Sequence, residues 1–417
     1  MGDVGIQRPE LRFEVFRGCA DGLYRRSLKT RSHMVAAIRA QRLLILGGAV
    51  VGILAWIGPY PAIALALLMP SLWAAAESRW VAGLAVLGYQ LGATWGLPGG
   101  VMTFYGTFLA LGVLLWVLAA LVVAATWASF WKPTKATRPW WMTFPLIVTA
   151  LPPIGVLGWV HPINAAGALF PGWGWLGIGG AVFVAVGLAI VPKGWLAISP
   201  LVLVMWAGLA ERPAKSLPGW QGLDTKEPFG HGEVDSGREL RRALALPKLA
   251  AATPGRVIVL PESIGGLWFE VPETFWKEGL VSSGDKTVLL GAEIGEGDGR
   301  SANILLSVNR TSSKVIYRQR MPVPLTMWRP WASAGTHAYW FENPVVDVAG
   351  ESAAVLICYE QVIVWPILFS MAARPTVVVA IANDWWAGRS TIPGIQRNCV
   401  LAWCRLFGAP LVTATNT

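Results

Sequence analysis

The sequence predicts a chain in two parts, an N-terminal multi-span α-helical membrane bundle and a C-terminal α/β domain. Three observations carry that reading. Of 417 residues, 54% are apolar and only 14% charged, with 24 tryptophans, far from a soluble average. Hydrophobic segments follow one another from about residue 43 to 210 with very short gaps. Composition then turns polar at Glu211, and short apolar strands alternate with helical stretches over about 200 residues, the pattern of an α/β core.

The first 42 residues form a basic arm, in which Arg8, Arg12, Arg17, Arg25, Arg26, Lys29, Arg31, Arg39 and Arg42 outnumber Asp3, Glu10, Glu14 and Asp21. No apolar core lies near enough to the start to read as a cleaved signal peptide. Spans are expected near 43–58, 60–77, 80–97, 104–131, 139–160, 168–192 and 195–210, several of them short for a bilayer. Arg79, the group Lys132, Lys135 and Arg138, and Lys193 occupy alternate connections, and the other connections carry no Lys or Arg. By the positive-inside rule the N-terminus is cytoplasmic, and seven spans put the chain after Ala210 on the periplasmic side of a bacterial inner membrane. One span more or fewer would invert that conclusion. The spans hold almost no ionisable side chains, which argues against an ion pathway.

A Pro-, Gly- and charge-rich linker covers 211–254, with a short helix at Arg238–Leu246 that Pro247 should stop. Strands are expected at Val257–Leu260, Val288–Glu293, Ala302–Val308, Ser313–Tyr317, Val345–Asp347, Ala353–Cys358, Thr376–Ile381 and Pro410–Thr415, with a helix at Ile395–Phe407.

Three of these apolar strands end in polar groups: one at Glu262, one at Cys358, one at Asn383-Asp384. A thiol at a strand end is either a small core residue or a nucleophile; the company of a carboxylate favours the second. A cysteine is only a few per cent thiolate at neutral pH, so it gains from a nearby base, and a developing oxyanion gains from fixed donors. Cys19, Cys358, Cys399 and Cys404 show no CxxC pair or zinc spacing, and the four histidines are scattered, so no metal site and no cofactor is expected. The net charge of +10 is concentrated in the arm, which gives no reason to expect nucleic acid. Trp385 and Trp386 either line an acyl pocket or cover a membrane-facing side.

VLPES, GAE, KVIYRQRMPVP, LICYE, ANDWWAGRS and RLFGAPLVTATNT occur in the order of the carbon–nitrogen hydrolase (nitrilase) superfamily, over about residues 255–417. The chain resembles its membrane branch, the apolipoprotein N-acyltransferases, and a plasmid conjugal-transfer family related to that branch. The resemblance implies an α-β-β-α sandwich over 255–417 and a Glu–Lys–Cys triad in which glutamate takes the thiol proton. It makes Glu262 the base and Cys358 the nucleophile. Tyr359 and Glu360 match the cysteine's usual neighbours, and Asn383 and Asp384 the pair that follows the next strand. A membrane lipid or lipoprotein-like substrate, and conjugation machinery as a partner, are further implications.

The departures are specific. The family's lysine position in Tyr-x-Lys-x-x-x-Val-Pro is Gln319, flanked by Arg318 and Arg320, and the glutamate expected after Val-Pro is replaced within Leu325-Thr326-Met327. A neutral donor supports an oxyanion less than a cation does. The sequence stops at Thr417 after the ATN motif, so the sandwich is expected to be shortened. Two functions therefore stay open, a thiol-dependent acyl or amide enzyme and a catalytically silent structural component of a conjugation or envelope apparatus.

Overall fold

The computed structural model describes residues 39–106, 109–191, 197–227, 236–388 and 390–417. Residues 1–38 of the basic arm, Cys19 and the Lys193 connection lie outside these.

The N-terminal helices are α1 (Arg39–Ile57), α2 (Leu68–Ala75), α3 (Arg79–Ala93), α4 (Leu97–Tyr105), α5 (Leu109–Ser129), α6 (Arg138–Trp141), α7 (Thr143–Ala150), α8 (Ala165–Leu169), α9 (Trp175–Ile190) and α10 (Ser199–Leu209). Two of them, α1 and α5, are long and apolar enough to cross a membrane. The expected span at 60–77 is a 3₁₀ segment, Tyr60–Leu67, running into α2, and that at 139–160 breaks into α6, α7 and a 3₁₀ turn at Ile154–Leu157. Proline explains the second break, because Pro152 and Pro153 lack the N–H that would continue α7. Buried Arg138 closes one end of the bundle, donating to the carbonyls of Lys132, Pro133, Ala74 and Ala76 at 2.6–2.9 Å and lying over the Trp131 ring.

The C-terminal half begins with β1 (Trp220–Gly222), α11 (Ser236–Ala252), β2 (Val257–Val259), α12 (Glu270–Gly279), β3 (Thr287–Gly295), β4 (Ser301–Val308) and β5 (Ser313–Arg318). It closes with β6 (Val346–Val348), β7 (Glu351–Ile357), α13 (Val364–Ala372), β8 (Val377–Asn383), α14 (Ile392–Phe407) and β9 (Leu411–Asn416). β1, β2 and β3 run parallel and β4 and β5 antiparallel in one sheet, and β6-β7-β8-β9 form the second, with only β6 antiparallel. The expected stop at Pro247 does not occur. α11 runs through that proline, which is buried against Gly279 of α12, so tertiary packing overrides the local signal.

Alternation along the strands sorts side chains into layers. Val257, Val259, Leu289, Val355, Ile357, Val379, Ile381 and Val412 fill the space between the sheets. Ile258, Val288, Leu290, Ile304 and Leu306 pack outward on α11 and α12. Ala354, Leu356, Val378 and Ala380 pack the other way, into a core continuous with α13, α14 and the N-terminal helices. The result is an α-β-β-α nitrilase-fold sandwich whose α13–α14 layer is itself covered by the helical half. That contact is close: a Cβ on Gly167 of α8 would meet the Ala402 carbonyl oxygen of α14 at 1.9 Å, so only glycine fits.

Candidate active site

β7 delivers Cys358 to the rim of the second sheet in a left-handed backbone conformation, φ 49°, at the start of a 3₁₀ turn, Cys358–Gln361. A non-glycine residue there is strained, and the surroundings must hold it. Glu360 does much of this. Its buried carboxylate accepts from the N–H groups of Ile357 (2.7 Å), Arg320 (2.6 Å) and Met321 (3.2 Å) and from the Tyr317 hydroxyl (2.8 Å). Arg320 lies behind the turn rather than at the thiol: its guanidinium donates to Tyr317, Ser370 and the Val355 carbonyl, 3.8 Å from Glu360, with no exposed surface. Two buried charges so enclosed are tolerable because each has its partner and nearly every donor is used.

Glu262 follows β2. Its Oε1 accepts from Asn303 Nδ2 at 2.6 Å, its Oε2 from the Asn383 N–H at 2.9 Å, and the Cys358 thiol donates to it. Burial pushes the carboxyl up to about 8, against the pull of the three hydrogen bonds. The thiol is raised well above its ordinary value, first by burial and then by the nearby Glu262 and Asp384 charges, while the Tyr359 N–H opposes the rise. A base near 8 is better matched to taking a thiol proton at neutral pH than an ordinary carboxylate.

Asn383, at the end of β8, also accepts from Asn416 Nδ2 through its side chain at 2.9 Å. Asp384 is nearly buried and its carboxyl is pushed up to about 7 by burial; its N–H donates to the Asn416 carbonyl at 2.7 Å. The Tyr359 hydroxyl donates to the Val156 carbonyl and accepts from Trp159 Nε1, joining the Cys358 turn to the helical half.

Gln319 stands elsewhere than an oxyanion donor would. Fully buried, it gives Nε2 to the Ile357 carbonyl at 2.9 Å and accepts from Asn303 Nδ2 at 3.1 Å, and it does not line the cavity onto which Cys358 opens. It is a positioning residue for Asn303. Its neutral amide is absorbed into the network of Asn303 and Glu262.

Two participants escaped the sequence reading. Asn303 is a polar residue inside the apolar strand ANILLSV, which is the one local signal of its role. Gln396 of α14 donates to the Cys358 carbonyl at 3.3 Å, from a helix in which no site residue was expected. Cys399 and Cys404 are buried, unbridged and away from this group.

The cavity has a volume of about 570 Å³. Glu262, Cys358, Tyr359, Asn383 and Gln396 form one wall, and Leu97, Val101 and Phe104 of α4 with Leu115, Trp116 and Ala119 of α5 form another. Trp385 and Trp386 also line it and pack on Phe104, with ring centroids 6.3 Å apart in each case.

The carbon–nitrogen hydrolase family model matches residues 267–404. The chain is 39% identical over 394 residues to the conjugal transfer protein TraB of Agrobacterium fabrum, covering 90% of this chain and 92% of that one. It is 39% identical over 384 residues to the probable conjugal transfer protein TraB of Sinorhizobium fredii, covering 90% and 98%. An apolipoprotein N-acyltransferase of Nitrosomonas europaea is similar at 26% identity over 424 residues, covering 86% and 81%. Among solved structures, an amidase from Nesterenkonia sp. is similar with a TM-score of 0.34 and 15% identity, over 50% of this chain and 79% of that one. With nine-tenths of its length aligned to them, the chain belongs to the family of the TraB conjugal transfer proteins and carries a carbon–nitrogen hydrolase domain.

Proposed function

We propose that the protein is a membrane-bound acyltransferase or amidase in which Cys358 attacks an acyl carbon, Glu262 takes the thiol proton, and a thioester is then passed to an acceptor. One observation carries the reading. The thiol–carboxylate pair opens onto a cavity whose opposite wall is the apolar surface of α4 and α5, so an acyl chain and the reactive sulfur share one space. Its volume of about 570 Å³ falls in the ~300–1,000 Å³ range of small-molecule sites.

The helical half supports a multi-pass setting in the bacterial inner membrane. Besides α1 and α5, the shorter α9 and α10 are apolar, and Val50, Ile53, Leu114, Leu118, Phe183, Leu201 and Met205 are exposed at the surface. Such a continuous apolar exterior is stable in lipid and costly in water. The alternating Lys and Arg connections in the sequence support a periplasmic sandwich. The names of the relatives support a role in plasmid conjugal transfer, with a lipid or lipoprotein-like substrate by analogy to the N-acyltransferase.

A second reading, a catalytically silent component of the conjugation apparatus, is favoured by Gln319 at the lysine position, since no cation then stands beside Glu262. The experiment that decides is intact-mass spectrometry of purified protein incubated with phospholipid vesicles. A hydroxylamine-labile acyl adduct on the wild type that is absent from Cys358→Ser but present on Cys399→Ser supports the enzyme. An adduct persisting in Cys358→Ser refutes the assigned nucleophile, and no adduct together with normal conjugation by Cys358→Ser supports the silent component.

A further inference from the structure

One carboxyl on the cavity wall takes no part in the proposed acylation. Among the described lining residues only Glu262 and Glu293 carry carboxyls. Glu293 is the partner of Asn303 across the antiparallel β3–β4 ladder, so the two side chains share one face of the sheet, with Cβ atoms roughly 4.5–5.5 Å apart. Asn303 is the residue that donates to Glu262. The loop after Glu262 fixes Glu293 further. The Ser263 hydroxyl donates to Glu293 Oε1 at 3.2 Å, the Glu293 N–H to the Gly266 carbonyl at 2.9 Å, and the Trp268 N–H to the Glu293 carbonyl at 2.7 Å. Ser263 itself sits at φ 53°, a strained conformation for a residue with a Cβ.

The two carboxyls differ in what is left to them. Glu262 is held at both oxygens, by Asn303 Nδ2 on Oε1 and by the Asn383 N–H on Oε2, and it faces the thiol. Among the described residues, the Glu293 carboxyl has the Ser263 hydroxyl on Oε1 as its one hydrogen-bond partner, which leaves Oε2 to the cavity. The other ionisable groups on the cavity wall are Cys358 and Tyr359 from the second sheet, Tyr105 from α4, Arg300 before β4 and Arg329 beyond β5. Among the described residues none of them pairs with Glu293. Burial pushes this carboxyl up, against the pull of the Ser263 bond, which favours its protonated form. Such a group can exchange a proton with whatever occupies the cavity, whereas Glu262 is pinned toward sulfur.

We propose that Glu293 is a second catalytic residue, the acid–base group for the leaving group and the acceptor, with Glu262 confined to the thiol. The proposal rests on the reading of the cavity as an acyl site. As the Cys358 sulfur bonds to the acyl carbon, its proton passes to Glu262. The carbon–oxygen bond of an ester donor then breaks, and the departing alkoxide takes its proton from Glu293. In the second half an acceptor amine bonds to the acyl carbon and gives its proton to the Glu293 carboxylate. The carbon–sulfur bond breaks and the thiolate recovers its proton from Glu262, so both carboxyls return to their first state.

The test exploits the leaving group, because p-nitrophenolate departs without a proton and an alkoxide does not. The full chain in a non-ionic detergent is treated with p-nitrophenyl decanoate or methyl decanoate, and acylation of Cys358 is timed by intact mass. Glu293→Gln is expected to raise the ratio of p-nitrophenyl to methyl rates about a hundredfold or more, and Glu293→Asp, which keeps a carboxyl, to recover part of the methyl rate. A ratio unchanged from wild type overturns the proposal, since a purely structural loss slows both esters alike. The wild type gives a second measurement that needs no variant to fold. Its rate with methyl decanoate is expected to rise and then fall with pH, because Glu262 must be ionised and Glu293 protonated, whereas with p-nitrophenyl decanoate it only rises. Two profiles of the same shape overturn the proposal, as does a wild type that reacts with p-nitrophenyl decanoate but never with methyl decanoate. No acylation by either ester instead sinks the enzyme reading itself, so the two failures are distinguishable.

Discussion

Asn303→Leu isolates the hydrogen bond that most directly tunes Glu262, the proposed base. Asn303 Nδ2 lies 2.6 Å from Glu262 Oε1, and leucine has a similar shape without the donor. The bond stabilises the ionised carboxylate, so its loss favours the protonated form and raises a pKa that burial already holds near 8. A hydrogen bond to a charged group contributes roughly 1.5–3 kcal/mol, and one pKa unit is about 1.36 kcal/mol, so the shift is roughly one to two units upward. In the proposed mechanism Glu262 acts as a base only when ionised. The rate of Cys358 acylation therefore rises with pH to a limb near 8 in the wild type, and the limb moves toward roughly 9–10 in Asn303→Leu. At pH 7 the variant is slower by about tenfold to a hundredfold. The assay is the rate of acylation by a p-nitrophenyl ester, read by intact mass from pH 5.5 to 9.5. A limb that stays in place, or moves to lower pH, refutes both the base assignment and the electrostatic argument.

Gln319→Ala should slow acylation by about tenfold, because it releases Asn303 but removes no donor from the cavity; a loss of roughly two to three orders of magnitude would instead restore Gln319 to the oxyanion. Asp384→Asn tests linkage. Burial raises the folded carboxyl from its ordinary value of 3.8 to about 7, so its favourable contribution is complete below about 3.8 and is lost as pH rises to about 7. The wild type should therefore lose thermal stability between about pH 4 and 7, by up to roughly 4 kcal/mol from this group, and the variant should lose visibly less; parallel melting curves for the two proteins would contradict the burial argument. For topology, reporter fusions after Arg138 and after Lys215 should signal opposite sides of the membrane, and signals from the same side would mean a different number of crossings.

The strands were legible because the two sheets are buried on both faces, which leaves long apolar runs such as AAVLI and TVVVAIA in the sequence. β1 was not. Trp220–Gly222 is three residues long inside a Pro- and Gly-rich stretch, and it becomes a strand because β2 and β9 lie beside it. α12 was missed for a related reason: EVPETFWKEG buries essentially Trp276 alone, too little for a periodic signal. Hydropathy registers apolar content but not the prolines and 3₁₀ segments that divide it, so the expected spans at 60–77 and 139–160 read as uniform helices.

The motifs carried Glu262, Cys358 and Glu360 in one dimension, because each ends or follows a strand whose apolar pattern announces it. Sequence by itself determined which residue types were available, the two-part division, and the absence of the family's lysine. Tertiary structure decided what those residues touch. Arg320 and Arg318 are neighbours of Gln319 in sequence, yet one is sealed behind Glu360 and the other turned toward Glu296 and Tyr339. Arg329, ten positions on from Gln319, reaches the cavity because a glycine in a left-handed conformation lets its loop close. Hydrogen bonds and cavities are set by distances between elements far apart in the chain, and local pattern carries no information about those distances.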